Sequence, residues 1–67
     1  MFRLIPSGSG LERARLSADL SLAEAGAAVT RTPHTVRRWE TGRTMPPRSA
    51  LVALARLYDT DVRELVA

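Results

Sequence analysis

The 67-residue sequence contains no cysteine, and its only histidine is His34. Without cysteine there is neither a disulfide framework nor a thiolate metal site, and one histidine without further ligands does not make a zinc site. We therefore expect a protein without a metal or other cofactor. The lack of cysteine also fits an intracellular location.

Long apolar runs are also absent. No stretch approaches the roughly 20 residues that a membrane-spanning helix needs, and Met1–Pro6 is too short for the apolar part of a secretory signal. A chain of this length buries only about 60% of its unfolded surface, which suffices for one small domain. We expect a single-domain, soluble, cytoplasmic protein with no membrane partner.

Lysine is missing as well, so all ten basic residues are arginines and the formal net charge is +3. Residues 31–48 hold five of these arginines against Glu40 alone, so this stretch carries +4 and the rest of the chain −1. Arginine makes planar, bidentate contacts with phosphate and guanine, although an all-arginine bias can equally reflect a GC-rich genome. The concentration of charge favours a polyanion as partner.

The first ten residues differ from the rest. Met1–Pro6 is apolar, and Ser7–Gly10 predicts a flexible hinge before the helical domain at 11–67. Three roles compete: a strand that pairs with its symmetry mate, a flap over the core, or an arm that delivers Arg3 to DNA. The strand and the flap rank above the arm, because the apolar residues of an arm would lie in water.

A capping box, S-x-x-E, predicts two helix starts. The pairs are Ser9 with Glu12, before a helix over 11–19, and Ser21 with Glu24, before a helix over 22–29. The inner face of the first helix holds Leu11, Ala14, Arg15 and Ala18, which share one side at helical spacing. Gly26, inside the second helix, predicts a close approach by another helix.

A third helix is predicted from Pro33 to Thr41. Thr32 suits its N-cap, Pro33 suits the first helical position, and Gly42 supplies a left-handed stop. Val36 and Trp39 point inward, with Trp39 expected against Leu54 and Ala55. The outer surface is left to His34, Thr35, Arg37 and Arg38.

Two more helices complete the prediction. A fourth begins near Arg48 and runs to Tyr58, with an apolar stripe of Leu51, Leu54, Ala55 and Leu57. Thr60 or Asp61 then caps a short fifth helix, whose apolar residues are Val62, Leu65 and Val66. The predicted fold class is all-α and compact, with five helices and no strand.

In these features the chain resembles the small helix-turn-helix domain of the lambdoid phage repressor and Cro family, also called the XRE type. The likeness covers about residues 11–66. It is carried by Arg15, Leu20-Ser21, Glu24-Ala25, the break at 30–32, Val36, Trp39-Glu40-x-Gly42, Pro47 and Leu54-Ala55-x-Leu57. It implies a compact lambda-repressor-like domain with its motif at 21–42. Two positions depart from the pattern: Leu22 stands where many relatives have glutamine, and Thr30 where glycine is common.

The resemblance also implies a set of DNA-contacting residues. Those expected to read bases from the major groove are Pro33, His34, Arg37 and Arg38, and Arg38 is the best candidate for a bidentate contact to guanine. Those expected to bind phosphates are Thr32, Thr35, Arg31, Arg43 and Arg48. Arg15 and Glu40 match a pair that forms a buried salt bridge in relatives.

Taken together, the resemblance implies a sequence-specific regulator of transcription that binds double-stranded DNA. The favoured form is a small Cro-like repressor of a phage or prophage in a bacterial host, acting as a homodimer on an operator. Dimer contacts would come from Tyr58, Val62, Leu65 and Val66, from Met1–Ile5, or from cooperativity on DNA. The alternative is an antitoxin or adaptor module whose main partner is a protein.

An enzyme is not expected. The carboxylates of Asp59, Asp61 and Glu64 fit helix caps and solvated charge, and the sequence offers no nucleophile or cleft beside them.

Overall fold

The computed structural model describes residues 8–66 of the chain. Within this range it contains five α-helices and no strand, so the predicted all-α fold is confirmed. The helices are α1 (Gly8–Ser17), α2 (Leu22–Ala28), α3 (Pro33–Glu40), α4 (Arg48–Leu57) and α5 (Val62–Leu65). Helix α3 packs against both α2 and α1, while α5 packs against α1 and α4.

Helix α1 begins three residues earlier than predicted. Gly8–Gly10 are helical, so the predicted hinge is wrong for these residues, and Ser9 lies inside the helix instead of capping it. Packing explains the difference: Gly10 is buried, and a methyl group added to it would lie 2.5 Å from the carbonyl oxygen of Glu64. Contact with α5 thus overrides the weak helix propensity of glycine. The roles proposed for residues 1–7 concern a segment outside the described residues.

The start of α2 follows the prediction closely. The amide of Glu24 donates to Oγ of Ser21 at 3.0 Å, and the amide of Ser21 donates to Oε1 of Glu24 at 2.8 Å. This reciprocal capping box satisfies two amide groups that an open helix end would leave without partners. The hydrogen bonds lower the pKa of Glu24, because they stabilise its charged form.

The turn between α2 and α3 depends on two unusual residues. The carbonyl of Gly26 accepts a hydrogen bond from the amide of Arg31 at 2.8 Å. A methyl group on Gly26 would lie 2.7 Å from the carbonyl oxygen of Arg31, so the close neighbour of this glycine is the turn and not, as predicted, another helix. Thr30 adopts φ 59°, a left-handed conformation that glycine takes freely and a β-branched residue rarely takes.

Both ends of α3 carry the predicted signals. Thr32 is the N-cap, and its hydroxyl accepts a hydrogen bond from the amide of Thr35 at 3.1 Å, with Pro33 at the first helical position. At the other end, Gly42 has φ 78°, the left-handed conformation that reverses the chain after a helix. These local signals fix the length of α3 at eight residues.

The core is built from side chains of all five helices. Leu54, Leu65 and Val36 are its largest fully buried side chains. Trp39 is only 4% exposed and belongs to the same cluster as Leu54 and Ala55, as predicted. On α1 the predicted inner face is also present: Leu11 and Arg15 are buried, and Ala14 and Ala18 are partly buried against the core.

The prediction for the end of α4 was wrong in one respect. Leu57, assigned to the apolar stripe, is exposed, whereas Tyr58 is buried. Helix α4 ends at Leu57, and the chain then reverses through Asp59 at φ 55°. Tyr58 lies four residues after Leu54 and three after Ala55, so it continues the buried face of α4. Tyr58 and the fully buried Leu65 therefore cannot form the dimer contacts proposed for them.

Candidate nucleic-acid interface

A buried ion pair holds α3 against α1. Nε of Arg15 donates to Oε2 of Glu40 at 2.7 Å, and its Nη2 donates to Oε1 at 3.1 Å. The remaining side of the guanidinium donates to the carbonyl of Leu20 at 2.8 Å. Hydrogen bonding to Glu40 raises the pKa of Arg15 above its ordinary value. The pair joins residues 25 positions apart and fixes where α3 lies relative to α1.

The opposite face of α3 is open to solvent. His34, Arg37 and Arg38 are all exposed, while Val36 and Trp39 on the inner side are buried. With Glu40 held by Arg15, no carboxylate of α3 offsets the two arginines on the outer face. The outer face of α3 is therefore cationic.

Four of the predicted contact residues come together in one place. An open concavity is lined by His34, Arg37, Arg38, Thr41 and Arg43. Three guanidinium groups thus border one depression, and such groups bind phosphate oxygens and the acceptor edge of guanine. Thr41 was not predicted to belong to this group. Its hydroxyl donates to the carbonyl of Arg37 at 3.0 Å, one helical turn earlier.

The first turn of α3 offers a second polar feature. The hydroxyls of Thr32 and Thr35 are 3.0 Å apart and hydrogen-bonded to each other. Whichever hydroxyl donates in this pair, the other keeps its proton for an outside acceptor. Amide groups and the helix dipole favour an anion at this end. The geometry is compatible with a phosphate near Thr32 and Thr35.

The other predicted contact residues lie apart from the concavity. Pro33, Arg31 and Arg48 are exposed, but none of them is among the described residues that line it. Nη1 of Arg31 donates to the neighbouring carbonyl of Thr30 at 3.3 Å. Arg31 lies just before the start of α3 and Arg48 is the first residue of α4, so exposed cationic residues also occur outside the depression.

Leu22 is one of the two positions at which the sequence departs from the pattern of the family it resembles. Its side chain is half-buried and packs against the core cluster. An apolar side chain here therefore contributes to the contact between α2 and the core. The side chain of Leu22 carries no hydrogen-bonding group.

Several large apolar side chains remain exposed. The most open are Leu16, Met45, Val66 and Leu57, at 59%, 72%, 44% and 36% exposure. Of the residues proposed for dimer contacts, Val66 is exposed and Val62 is half-buried. Met1–Ile5, also proposed for this role, lie outside the described residues.

Residues 8–66 contain no helix long and apolar enough to cross a membrane. They also contain no group of three or more histidine and carboxylate side chains arranged to hold a metal ion.

Comparison with known proteins identifies the class of the domain. Residues 8–67 match the family model described as "Helix-turn-helix domain". No curated protein and no solved structure matches the chain. Because the family model covers most of the sequence, the chain belongs to this helix-turn-helix domain family, within the XRE/Cro-type superfamily. Its motif helices are α2 and α3, and domains of this kind are typical of DNA-binding regulators.

Proposed function

We propose that the protein is a sequence-specific regulator of transcription that binds double-stranded DNA, in the manner of a small Cro-like repressor of a phage or prophage. One observation carries the proposal: the second helix of the helix-turn-helix motif presents a cationic outer face, while its inner face is anchored in the core. His34, Arg37 and Arg38 of this helix line one concavity together with Arg43 of the following loop. A regulator of this kind acts in the cytoplasm of the bacterial host.

In this proposal α3 enters the major groove and α2 crosses the DNA backbone. Arg38 makes a bidentate contact to O6 and N7 of guanine, worth about 1–3 kcal/mol of discrimination. Arg37 reads a base or binds a phosphate, and His34 donates to a base acceptor or a phosphate. Pro33 makes apolar contact with a thymine methyl.

Phosphate contacts would come from both sides of α3. On one side are Thr32, Thr35 and Arg31, and on the other are Arg43 and Arg48. Such contacts place the helix in the groove without reading sequence. Three to five neutralised phosphates predict that log affinity falls against log salt with a slope of roughly −3 to −5 per subunit.

A dimer is part of the proposal. One recognition helix reads only a few base pairs, and two helices about one helical turn of DNA apart supply the missing specificity. Exposed apolar residues that remain available for a symmetric contact include Val66, Leu57 and Leu16. Cooperative binding to adjacent half-sites is the other route to the same specificity.

Selection of bound sites from a random pool of DNA duplexes tests this proposal directly. We expect enrichment of a two-fold symmetric motif whose half-sites are about 10 base pairs apart. An enriched half-site without symmetry would support the DNA-binding role and contradict the dimer. If no motif is enriched, the regulator is contradicted, and an antitoxin or adaptor module with a protein partner becomes the better hypothesis.

A further inference from the structure

Thr41 lies between the arginines at the end of α3, Arg37 and Arg38, and Arg43 in the following loop. It follows Arg37 and Arg38 by one helical turn and precedes Arg43 by two residues, and all four line the same depression. Its hydroxyl donates to the carbonyls of Arg37 at 3.0 Å and Arg38 at 3.3 Å. Its amide also donates to the Arg37 carbonyl, at 2.9 Å. Thr41 therefore supplies donors to carbonyl groups that a helix end usually leaves to water.

The carbonyl of Arg38 is shared with the following loop. It accepts hydrogen bonds from the amides of Arg43 at 2.9 Å and Thr44 at 3.3 Å, in addition to the Thr41 hydroxyl. The left-handed Gly42 allows the chain to fold back for these contacts. One carbonyl group thus joins the last turn of α3 to the backbone of Arg43. Any movement of the loop must stretch or break these hydrogen bonds.

The Thr41 hydroxyl is committed to the protein itself. Its single proton is directed to the two carbonyls, so it is not free to donate to DNA. We propose that Thr41 is a positioning residue, which holds Arg43 at a fixed distance from Arg37 and Arg38 so that the three guanidinium groups act on one segment of DNA. The inference rests on the proposed function, because it concerns the residues that would contact DNA.

A double-mutant cycle with Arg43 tests this role. Thr41→Val keeps the shape of the side chain and removes the donor, whereas Thr41→Ser keeps the donor. Affinity for one labelled duplex would be measured for each variant, alone and combined with Arg43→Ala. We expect Thr41→Val to weaken binding about threefold, which corresponds to the lower end of the free energy that one hydrogen bond contributes. Thr41→Ser should bind like the unmodified protein, and Thr41→Val should cost almost nothing once Arg43 is removed.

Two results of this cycle would overturn the inference. The first is an equal loss from Thr41→Val with and without Arg43, because independent sites give additive effects. The second is a loss from Thr41→Ser as large as that from Thr41→Val. Thermal unfolding of each variant serves as the control, and we expect the unfolding temperature to change little because the side chain is exposed.

A measurement on the free protein separates this inference from the proposed function. Hydrogen exchange of the amides of Arg43 and Thr44 should be faster in Thr41→Val and unchanged in Thr41→Ser, because the hydroxyl ties Thr41 to the last turn of α3 and the loop that carries these amides begins there. Unchanged exchange in Thr41→Val would overturn the role of Thr41 alone. If the unmodified protein binds no duplex, the proposed function is contradicted. The exchange rates would still show whether the Thr41 hydroxyl holds the loop in place.

Discussion

The two faces of α3 serve different purposes although they are built from the same eight residues. On the inner face, Val36, Trp39 and Glu40 are 1%, 4% and 8% exposed, and Glu40 is bound to Arg15. On the outer face, His34, Arg37 and Arg38 are open to solvent. The inner residues have partners in the fold, whereas the outer ones have their side chains available for a ligand.

This difference separates stability from binding. Substitutions on the inner face should change the free energy of unfolding, because buried groups lose their partners. Substitutions on the outer face should leave folding unchanged and alter DNA binding, because exposed side chains contribute little to stability. Variants that affect only one of these properties support the division, and variants that affect both would break it.

The largest expected effect is on the inner face. Glu40→Ala leaves the buried Arg15 without a counter-charge, and such a loss costs about 3–5 kcal/mol. A domain of this size has a total stability of roughly 3–10 kcal/mol, so the variant should be largely unfolded or close to it. Urea denaturation, followed by the fluorescence of the single tryptophan, measures the change.

Two controls accompany this variant. Glu64→Ala removes an exposed carboxylate and should change the free energy of unfolding by less than about 0.5 kcal/mol. Replacing both Arg15 and Glu40 by methionine removes both charges and should recover most of the stability, because well-packed apolar residues can substitute for a buried pair. A loss from Glu40→Ala no larger than that from Glu64→Ala would contradict the role of the inner face.

The next effect belongs to the outer face. Arg38→Ala should relax specificity at one base pair by about 1–3 kcal/mol, whereas Arg43→Ala should weaken binding to all sequences alike. Arg43→Ala should also reduce the salt slope by about 1. Binding to a selected duplex and to its point variants measures both. If the two substitutions have the same effect on every sequence, Arg38 does not read a base.

A smaller effect lies in the turn before α3, which belongs to neither face. Thr30 is held at φ 59°, and a left-handed conformation costs most residues about 1–2 kcal/mol, whereas asparagine tolerates it. Thr30→Asn should therefore stabilise the protein by about 1 kcal/mol and raise the unfolding temperature by about 4–8 °C. Thr44→Asn is the matched control, because Thr44 is exposed and does not have a positive φ. Equal unfolding temperatures for the two variants would show that Thr30 is not strained.

The smallest effect at neutral pH concerns Tyr58, which lies near the Arg15–Glu40 pair. Within the described residues its buried hydroxyl has no hydrogen-bond partner, so Tyr58→Phe should leave stability unchanged or raise it by up to about 1 kcal/mol. Burial, with a further contribution from Glu40, raises the pKa of Tyr58 to about 12. The unfolded chain, whose tyrosine keeps its ordinary pKa, loses the proton first. Stability should therefore fall as the pH rises from about 10 through 12.

The composition makes this alkaline effect easy to assign. The sequence has one tyrosine, no cysteine and no lysine, so Tyr58 is the only side chain expected to titrate in that range. Absorbance of the tyrosinate gives its pKa in the folded protein, and urea denaturation gives the stability at each pH. The Tyr58→Phe variant should show no decline. A tyrosine that titrates near its ordinary value would contradict the burial of the hydroxyl.

The starts of α2 and α3 were predictable because their signals are local. Ser21 with Glu24, and Thr32 with Pro33, lie within four residues of each other, so their spacing specifies the cap without knowledge of the fold. The outward direction of Arg37 and Arg38 also follows from helical periodicity. The pairing of Arg15 with Glu40 spans 25 positions, and it was expected from the likeness to a family and not from spacing.

Features that depend on the path between helices were not predictable. The helical conformation of Gly8–Gly10 follows from the packing of Gly10 against the carbonyl of Glu64, at the other end of the described chain. Arg43 reaches the concavity because the loop folds back on the Arg38 carbonyl. In each case a tertiary contact decides the outcome, and the neighbouring residues alone do not specify it.

The contact of Gly10 with the carbonyls of Glu64 and Leu65 has a consequence for the order of folding. It joins residues separated by nearly the whole described chain, whereas α2 and α3 are neighbours in sequence. Because closing a long loop costs more entropy than closing a short one, we expect the helix-turn-helix to form before α1 meets α5. Weakening the contact at Gly10 should then speed unfolding more than it slows folding.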